Sequence, residues 1–232
     1  MKKDFLNSPI FVTGIERSGS SIVAKIIRDC GTFSGRTTEM QENIGIKKLV
    51  DSYYKEICKI PIYGQYPLPD LRSIKIPSNW GDSIEYLLKE DMYDAKIPWM
   101  YKSSRLAQLW PIWHDTYPNA KWVIVRRRTG DILHSCLKTG FMTAYANKAI
   151  QHGIGVNSEQ EGWLWWVHQH EKLFVEMIEK GLNCKIIWPE RIVYNDYEQI
   201  YEMLEWLGLR WNPNLIDSIS IMLKNSQRER SV

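Results

Sequence analysis

Glycine, serine and arginine residues cluster between an apolar run and a helical pattern near the start of the chain. The cluster has the sequence GIERSGSS (Gly14 to Ser21) and directly follows the apolar run PIFVT. A glycine-bearing turn at the start of a helix directs several backbone N–H groups at one point, and the helix N-terminus adds positive potential. The cluster therefore predicts a site for a phosphate or phosphosulfate group, with Arg17 neutralising its charge. The amides expected to surround the anion are those of Ser18, Gly19, Ser20 and Ser21.

The same cluster has the spacing of the nucleotide-triphosphatase loop GxxxxGK[ST], but Ser20 stands at the lysine position. A P-loop kinase or ATPase needs that lysine on the β- and γ-phosphates. Its absence makes a P-loop nucleotide kinase the less favoured interpretation. Taken alone, the cluster is equally typical of a serine-rich helix start that binds no ligand.

A second basic segment follows an apolar run near the middle of the chain. Lys121 to Arg126 (KWVIVR) predicts a buried strand, and Asp131 to Lys138 predicts the helix behind it. Arg127 follows the carboxyl end of this strand, where open α/β sheets bind ligands, and Ser135 lies eight residues later on the helix. Arginine supplies charge and a forked donor, and serine a neutral donor, so the pair predicts a second phosphate site. Arg126 and Arg128, on either side, are the alternative ligands.

Alternating strand and helix patterns must position these two segments. Strands are predicted at Pro9 to Gly14, Trp99 to Lys102, Lys121 to Arg126 and Cys184 to Trp188. Helices are predicted at Ser18 to Cys30, Glu42 to Cys58, Trp80 to Lys89, Leu106 to Tyr117, Asp131 to Lys138, Glu159 to Lys180 and Asn195 to Leu207. The alternation predicts an α/β fold with a central parallel sheet and helices on both faces.

Three of the predicted helices carry local signals at their ends or within them. Ser18 is a candidate N-cap of the first helix. Pro111 either kinks its helix or marks its first turn. Asn195 and Glu198 have the spacing of a capping box.

Composition and charge limit the classes of function. The 232 residues are enough for one domain (1–232) with a sizeable core, in which most of the eleven tryptophans are expected to lie. A formal net charge of +3 argues against a dedicated nucleic-acid binder. The four cysteines form no CxxC pair, so they predict neither a metal site nor a disulfide framework. Because no apolar run is long enough to span a membrane, we expect a cytoplasmic protein.

Both basic segments resemble motifs of the sulfotransferase family. PIFVTGIERSGSS is similar to the family's 5′-phosphosulfate loop, usually RSGTT or KTGTT. KWVIVRRRTGDILHS is similar to its 3′-phosphate segment, in which a strand ends in Arg-Asn-Pro or Arg-His-Pro and a serine follows eight residues after the arginine. Asp131 and Ser135 are in register with Arg127, whereas Arg128-Thr129 replaces Asn-Pro.

Two further stretches extend the resemblance, which runs from about Pro9 to Leu209. WMYKSSR is similar to the bacterial WKDPR pattern, with Lys102 and Arg105 matching and two serines in place of Asp-Pro. CKIIWPERIVYNDYEQIYEMLEWLGL resembles the family's closing YEDL…FLGL segment, with Trp188 where a tyrosine usually stands. The resemblance implies a P-loop-like sulfotransferase fold. It also implies transfer of a sulfuryl group from 3′-phosphoadenosine 5′-phosphosulfate (PAPS) to a hydroxyl or amine of a carbohydrate-like or small acceptor, without a metal.

The resemblance also assigns roles to individual residues. Lys102 matches the lysine that stabilises the leaving oxygen, Arg17 the residue that holds the 5′ end, and Arg127 with Ser135 the 3′-phosphate ligands. Trp188 is expected either to touch the adenine or to belong to the core. An inactive nucleotide-binding relative is the remaining alternative, with intact loops and no base in the cleft.

The base that takes the acceptor's proton has several candidates. Some family members carry a glutamate base in a stretch like GYWEN after the first helix, and MQEN (Met40 to Asn43) resembles it. Glu42 is therefore the first candidate and Glu39 the second. Other relatives use histidine, for which His114 and His134 are available.

Overall fold

Four parallel strands form the centre of the α/β fold in the part of the chain that the structure describes. This computed structural model describes residues 4–58, 61–62, 65–70, 74–139, 142–216 and 219. The strands are β1 (Ile10–Gly14), β2 (Met100–Lys102), β3 (Lys121–Val125) and β4 (Cys184–Ile187). Their order in the sheet is β2-β1-β3-β4, and every neighbouring pair is parallel. All four were predicted as strands to within one residue at either end.

Helices cover both faces of the sheet, as predicted. They are α1 (Ser20–Asp29), α2 (Ile44–Cys58), α3 (Trp80–Glu90), α4 (Arg105–Gln108), α5 (Trp110–Thr116), α6 (Thr129–Lys138), α7 (Lys148–Gly153), α8 (Glu159–Glu179) and α9 (Glu198–Leu207). Short 3₁₀ helices lie at Ala144–Ala146 and Pro189–Tyr194. Within the described ranges, none of these helices is long and apolar enough to cross a membrane.

Side chains that alternate along the strands build a separate apolar layer on each face. Phe11 and Trp122 lie in the larger layer, with α2 to α8, whereas Val12 and Val123 lie in the smaller one, with α1 and α9. Successive strand residues point to opposite faces, so the continuous apolar runs of β1 and β3 are buried on both sides. This burial explains why these strands could be recognised from sequence.

Aromatic rings fill the larger layer. The ring of Phe11 contacts those of Trp99, Trp113 and Trp122 edge-on, with centroids 5.9, 5.1 and 4.8 Å apart. The fully buried tryptophans are Trp99, Trp113, Trp122, Trp163 and Trp166. The expectation that tryptophans serve mainly the core is confirmed for these five.

The predicted helix from Leu106 to Tyr117 is two short helices. The chain leaves helical geometry at Leu109, with φ −126° and ψ 23°, between α4 and α5. Pro111 then occupies the first turn of α5, where its missing N–H costs no hydrogen bond. Of the two predicted roles for this proline, the first-turn role is correct.

The predicted capping box before α9 does not form. Asn195 instead ends the preceding 3₁₀ helix in a left-handed conformation, with φ 58°. The amide of Glu198 donates to Oδ1 of Asp196 at 3.2 Å. The prediction failed because a carboxylate two residues before the helix takes the role expected of the asparagine.

Gly14 allows three backbone segments to meet at the carboxyl edge of the sheet. A Cβ atom there would lie 2.6 Å from the carbonyl oxygen of Val125 and 2.6 Å from Oγ of Ser18. We expect Gly14→Ala to lower the free energy of unfolding by about 1–3 kcal/mol, because β3 or the loop must shift to admit the methyl group. Urea unfolding measures this change. Gly153→Ala lies in α7, where a new Cβ would meet no described atom within 4 Å beyond its chain neighbours and its own helix backbone, so it should cost nothing. Equal losses in both variants would contradict the prediction.

Candidate functional site

The loop after β1 turns sharply into α1 through two residues with positive φ. The amide of Ser18 donates to the carbonyl of Ile15 at 3.0 Å, and Arg17 has φ 66° within this turn. Gly19 then adopts φ 92° as the N-cap of α1, which glycine does without steric cost. The prediction that Ser18 caps this helix is therefore wrong. Consecutive N–H groups in such a turn form a concave site for an anion.

The amides expected to surround an anion are fewer than the sequence suggested. The Ser18 amide is already bonded to Ile15. Gly19, Ser20 and Ser21 stand at the start of α1, where N–H groups have no carbonyl partner one turn earlier. Of the four amides predicted to surround an anion, these three remain as donors.

The serine hydroxyls of this loop differ in their environments. The Ser18 hydroxyl is fully buried and has no hydrogen-bond partner among the described residues. The Ser21 hydroxyl donates to the carbonyl of Met40 at 3.2 Å, which ties α1 to the segment before α2. An unsatisfied buried donor is costly. Because this hydroxyl lies against Gly14, 2.6 Å from where a Cβ would stand, the anion-binding role predicted for the loop depends on its backbone amides.

The two basic segments meet at the carboxyl edge of the sheet. Nε of Arg17 donates to Oγ of Ser135 at 2.8 Å, across 118 positions of sequence. Nη1 of Arg127 donates to the carbonyl oxygen of Arg17 at 3.1 Å. The arginine–serine pair predicted to hold one phosphate thus contacts the loop predicted to hold the other.

The three consecutive arginines after β3 have different partners. Arg126 forms a two-pronged ion pair with Glu171, at 3.1 and 2.5 Å, and its guanidinium lies over the Trp188 ring at 4.9 Å. Arg128 is 77% exposed and approaches Glu190 at 3.5 Å. Arg127 is 17% exposed and contacts the loop. These environments favour Arg127 as the anion ligand, in agreement with the sequence spacing.

Lys102 and Glu42 form a shielded ion pair beside the loop. Lys102 ends β2, where it lies opposite Val12 of β1, and its Nζ is 3.7 Å from Oε1 of Glu42. Their side chains are only 9% and 15% exposed. Burial lowers the pKa of Lys102, while the carboxylates of Glu42 and Glu16 oppose that change. The Lys102 side chain and the Glu42 carboxylate, which can accept a proton, therefore lie together and shielded from solvent.

A network of capping bonds fixes the backbone around Glu42. The amide of Thr38 donates to the Glu42 carbonyl at 2.9 Å, and the Glu42 amide donates to Oγ1 of Thr38 at 3.3 Å. The buried Asn43 accepts from the Ile46 amide at 2.9 Å and donates to the Ser34 carbonyl at 2.9 Å. Because α2 begins at Ile44, directly after Asn43, these bonds fix the backbone of Glu42 at the entry to this helix.

The other predicted proton acceptors have different surroundings. Glu39 is exposed, and so is His134 on α6. His114 packs beside a tryptophan ring of its own helix, α5. Within the part of the chain that the structure describes, Glu42 is the candidate found in contact with Lys102.

One charged residue of the site received no role from sequence. Glu16 lies in the loop directly before Arg17, and its Oε2 accepts a hydrogen bond from the indole Nε1 of Trp166 at 2.8 Å. The available signal was an acidic side chain inside a loop predicted to bind an anion, which is electrostatically unfavourable and calls for a partner.

Two solved structures that resemble the chain are sulfotransferases. Sulfotransferase STF9 from Mycobacterium avium matches with a TM-score of 0.57 and 10% identity, over 94% of this chain and 68% of that one. Sulfotransferase STF1 from Mycobacterium tuberculosis H37Rv matches with a TM-score of 0.47 and 12% identity, over 92% and 70%. No protein-family model and no curated protein matches the chain. At this identity the similarity to STF9 establishes the fold.

Proposed function

Because the chain has the fold of a sulfotransferase, we propose that it transfers a sulfuryl group from PAPS to an acceptor hydroxyl or amine, on a carbohydrate-like or small molecule. The observation that carries this proposal is the hydrogen bond between Arg17 and Ser135. This bond joins the two segments that we propose bind anions. A single nucleotide with one phosphate on its 3′ oxygen and another on its 5′ oxygen would therefore find a partner for each phosphate. PAPS supplies a sulfuryl group whose bond to the 5′-phosphate oxygen breaks as the acceptor atom attacks sulfur.

The two anion-binding segments divide the donor between them in this proposal. Arg17 and the amides of Gly19 to Ser21 bind the 5′-phosphosulfate, where the helix N-terminus adds positive potential. Arg127 and Ser135 bind the 3′-phosphate, which ATP lacks. Trp188, whose ring lies 4.9 Å from the Arg126 guanidinium, contacts the adenine in this proposal.

Lys102 and Glu42 carry the chemistry in this proposal. The Lys102 ammonium stabilises the charge that develops on the oxygen leaving with the 5′-phosphate. The Glu42 carboxylate accepts the proton of the attacking hydroxyl or amine. Their contact supports an active enzyme over an inactive relative, because it puts a proton acceptor beside the cation.

The test is transfer of radiolabelled sulfate from PAPS to a panel of sugars, phenols and amines, with competition by adenosine 3′,5′-bisphosphate and by ATP. We expect labelled product and stronger competition by the bisphosphate. A P-loop nucleotide kinase would instead prefer ATP and transfer no sulfate. Binding of the bisphosphate without transfer to any acceptor would indicate the inactive relative.

Replacing Arg127 by alanine should remove the preference for a 3′-phosphate. We expect affinity for adenosine 3′,5′-bisphosphate to fall about 10- to 100-fold, since a hydrogen bond to a charged group contributes about 1.5–3 kcal/mol. Affinity for adenosine 5′-phosphate should change little, which calorimetry can compare directly. Arg128→Ala is the control, because that side chain is mostly exposed. Similar losses for both nucleotides would contradict the assignment.

A further inference from the structure

Asp91 is a shielded carboxylate that directly follows α3, and its side chain is only 4% exposed. Its Oδ2 accepts from Nδ2 of Asn43 at 2.8 Å and from the backbone amide of Arg36 at 3.1 Å, while its Oδ1 accepts from Nε of Arg36 at 2.6 Å. Burial alone would raise the pKa of Asp91, but the hydrogen bonds from Arg36 and Asn43 keep it below its usual value. Asp91 is therefore an anion bonded to two residues of one distant segment.

The two partners of Asp91 stand at the two ends of a closed turn. We call residues 36–44 the Glu42 turn. The amide of Ile44 donates to the carbonyl of Arg36 at 2.9 Å, and Thr37 pairs with Asn43 in an isolated antiparallel bridge. Asp91 thus joins the two ends of the turn at its root. Since Glu42 directly precedes Asn43, the position of its backbone depends on this junction.

The tip of the Glu42 turn is attached to α1. The Ser21 hydroxyl donates to the Met40 carbonyl at 3.2 Å, and Nη1 of Arg28 donates to Oε1 of Gln41 at 2.6 Å. These bonds join the tip to the helix that we propose faces the donor, whereas Asp91 joins the root to α3. Two attachments therefore set the position of the turn.

Gly35 allows the chain to approach Asp91 closely. Its φ is 63°, a left-handed conformation that glycine adopts without steric cost. A Cβ atom there would collide with Oδ2 of Asp91 and would lie 2.5 Å from Nδ2 of Asn43. A methyl group at this position would therefore push apart the two side chains that meet at the root of the turn.

We propose that Asp91 is a positioning residue for sulfuryl transfer, which fixes the root of the Glu42 turn and so holds the Glu42 carboxylate beside Lys102. It acts through its hydrogen bonds to Asn43 and Arg36. This inference rests on the proposed function, in which the Glu42 carboxylate accepts the acceptor's proton.

Asp91→Asn tests this role, because asparagine keeps the shape of the side chain but has no charge and only one acceptor oxygen. We expect turnover of PAPS with the best acceptor of the panel to fall about 10- to 100-fold, since a misplacement of about 1 Å can cost 10²-fold. Affinity for adenosine 3′,5′-bisphosphate should stay within several-fold, because the segments proposed to bind it follow β1 and β3. Asp94→Asn is the matched control, since this carboxylate also follows α3 but is 55% exposed and pairs with Lys96.

A double variant separates positioning of Glu42 from a general loss of structure. Glu42→Gln has already lost the proton acceptor, so adding Asp91→Asn should lower its remaining turnover very little. Independent effects would instead multiply. The same 10- to 100-fold loss in both backgrounds would overturn the inference.

Gly35→Ala disturbs the same junction without changing a charge, and we expect a loss of turnover similar to that of Asp91→Asn. Gly155→Ala is its control. Gly155 also has a left-handed backbone, with φ 74°, but a new Cβ would meet no described atom within 4 Å beyond its chain neighbours. Wild-type turnover in Gly35→Ala, or an equal loss in Gly155→Ala, would contradict the inference.

Amide hydrogen exchange needs no activity and separates this inference from the proposed function. The amides to follow are those of Thr38 and Ile44, which donate to carbonyls across the Glu42 turn. We expect them to exchange about tenfold faster in Asp91→Asn than in the wild type, while the amides of β3 keep their wild-type rates. Unchanged exchange in the turn would overturn the inference, even if the wild type transfers sulfate. Faster exchange, together with absence of transfer by the wild type, would overturn the proposed function instead.

Discussion

Replacing Glu42 by glutamine is expected to lower the turnover of sulfuryl transfer by about 10²- to 10⁴-fold, the range that a general base contributes. Glutamine keeps the shape of the side chain but cannot take a proton from the acceptor. The affinity for adenosine 3′,5′-bisphosphate should stay within several-fold of the wild type, because Glu42 contacts Lys102 rather than the anion loop. Initial rates of label transfer from PAPS, together with calorimetric binding of the bisphosphate, measure the two effects separately.

Glu39→Gln is the matched comparison for this prediction. It removes a carboxylate three positions earlier that is exposed. We expect its turnover to remain close to that of the wild type. Equal turnover of Glu42→Gln and the wild type would remove Glu42 from the base role, and a large loss in Glu39→Gln alone would transfer that role to Glu39.

Replacing Lys102 by alanine is expected to lower turnover by about 10²- to 10³-fold, as when one group that stabilises a developing oxyanion is removed. The ammonium is shielded from water at the end of β2, so its charge acts on the leaving oxygen with little screening. Binding of adenosine 3′,5′-bisphosphate should change only several-fold, since Arg17 and Arg127 remain. The measurement is single-turnover transfer from PAPS at saturating donor concentration.

Two further variants distinguish lost chemistry from lost structure. Lys102→Met keeps the apolar stem of the side chain and should show the same loss of turnover with a smaller loss of stability. Lys89→Ala removes a mostly exposed lysine of α3 and should change neither property. If Lys102→Met retained wild-type turnover, the ammonium would have no role in the reaction.

The strands and most helices of this chain could be predicted because their residues are buried on one or two faces. β3 lies between β1 and β4 and is covered by both apolar layers, which its unbroken run of apolar residues reflects. The wrong predictions concern the starts of two helices, where neighbouring residues compete for the same capping role. Asp196 displaced Asn195 at the start of α9, and Gly19 displaced Ser18 at the start of α1. Such choices depend on backbone angles that residue type constrains only weakly.

The two segments that we propose bind the donor's phosphates were chosen from sequence, because each is a short stretch in which neighbouring residues can act together. Arg127 and Ser135 are one such pair, on consecutive parts of the chain. Only the three-dimensional fold distinguished the candidate residues within each stretch. Arg126 turned toward Glu171, and Glu39 remained exposed, so Arg127 and Glu42 are the better candidates.

By itself, the sequence determined the α/β class and the order of its elements, since local patterns of burial and turn residues encode these features, and it predicted two segments for phosphate groups. Only the tertiary structure decided that Arg17 meets Ser135, that Lys102 faces Glu42 and that Trp166 holds Glu16. Each of these contacts joins residues far apart in the chain. The parallel order of the strands brings them together, because it gathers the ends of distant segments at one edge of the sheet.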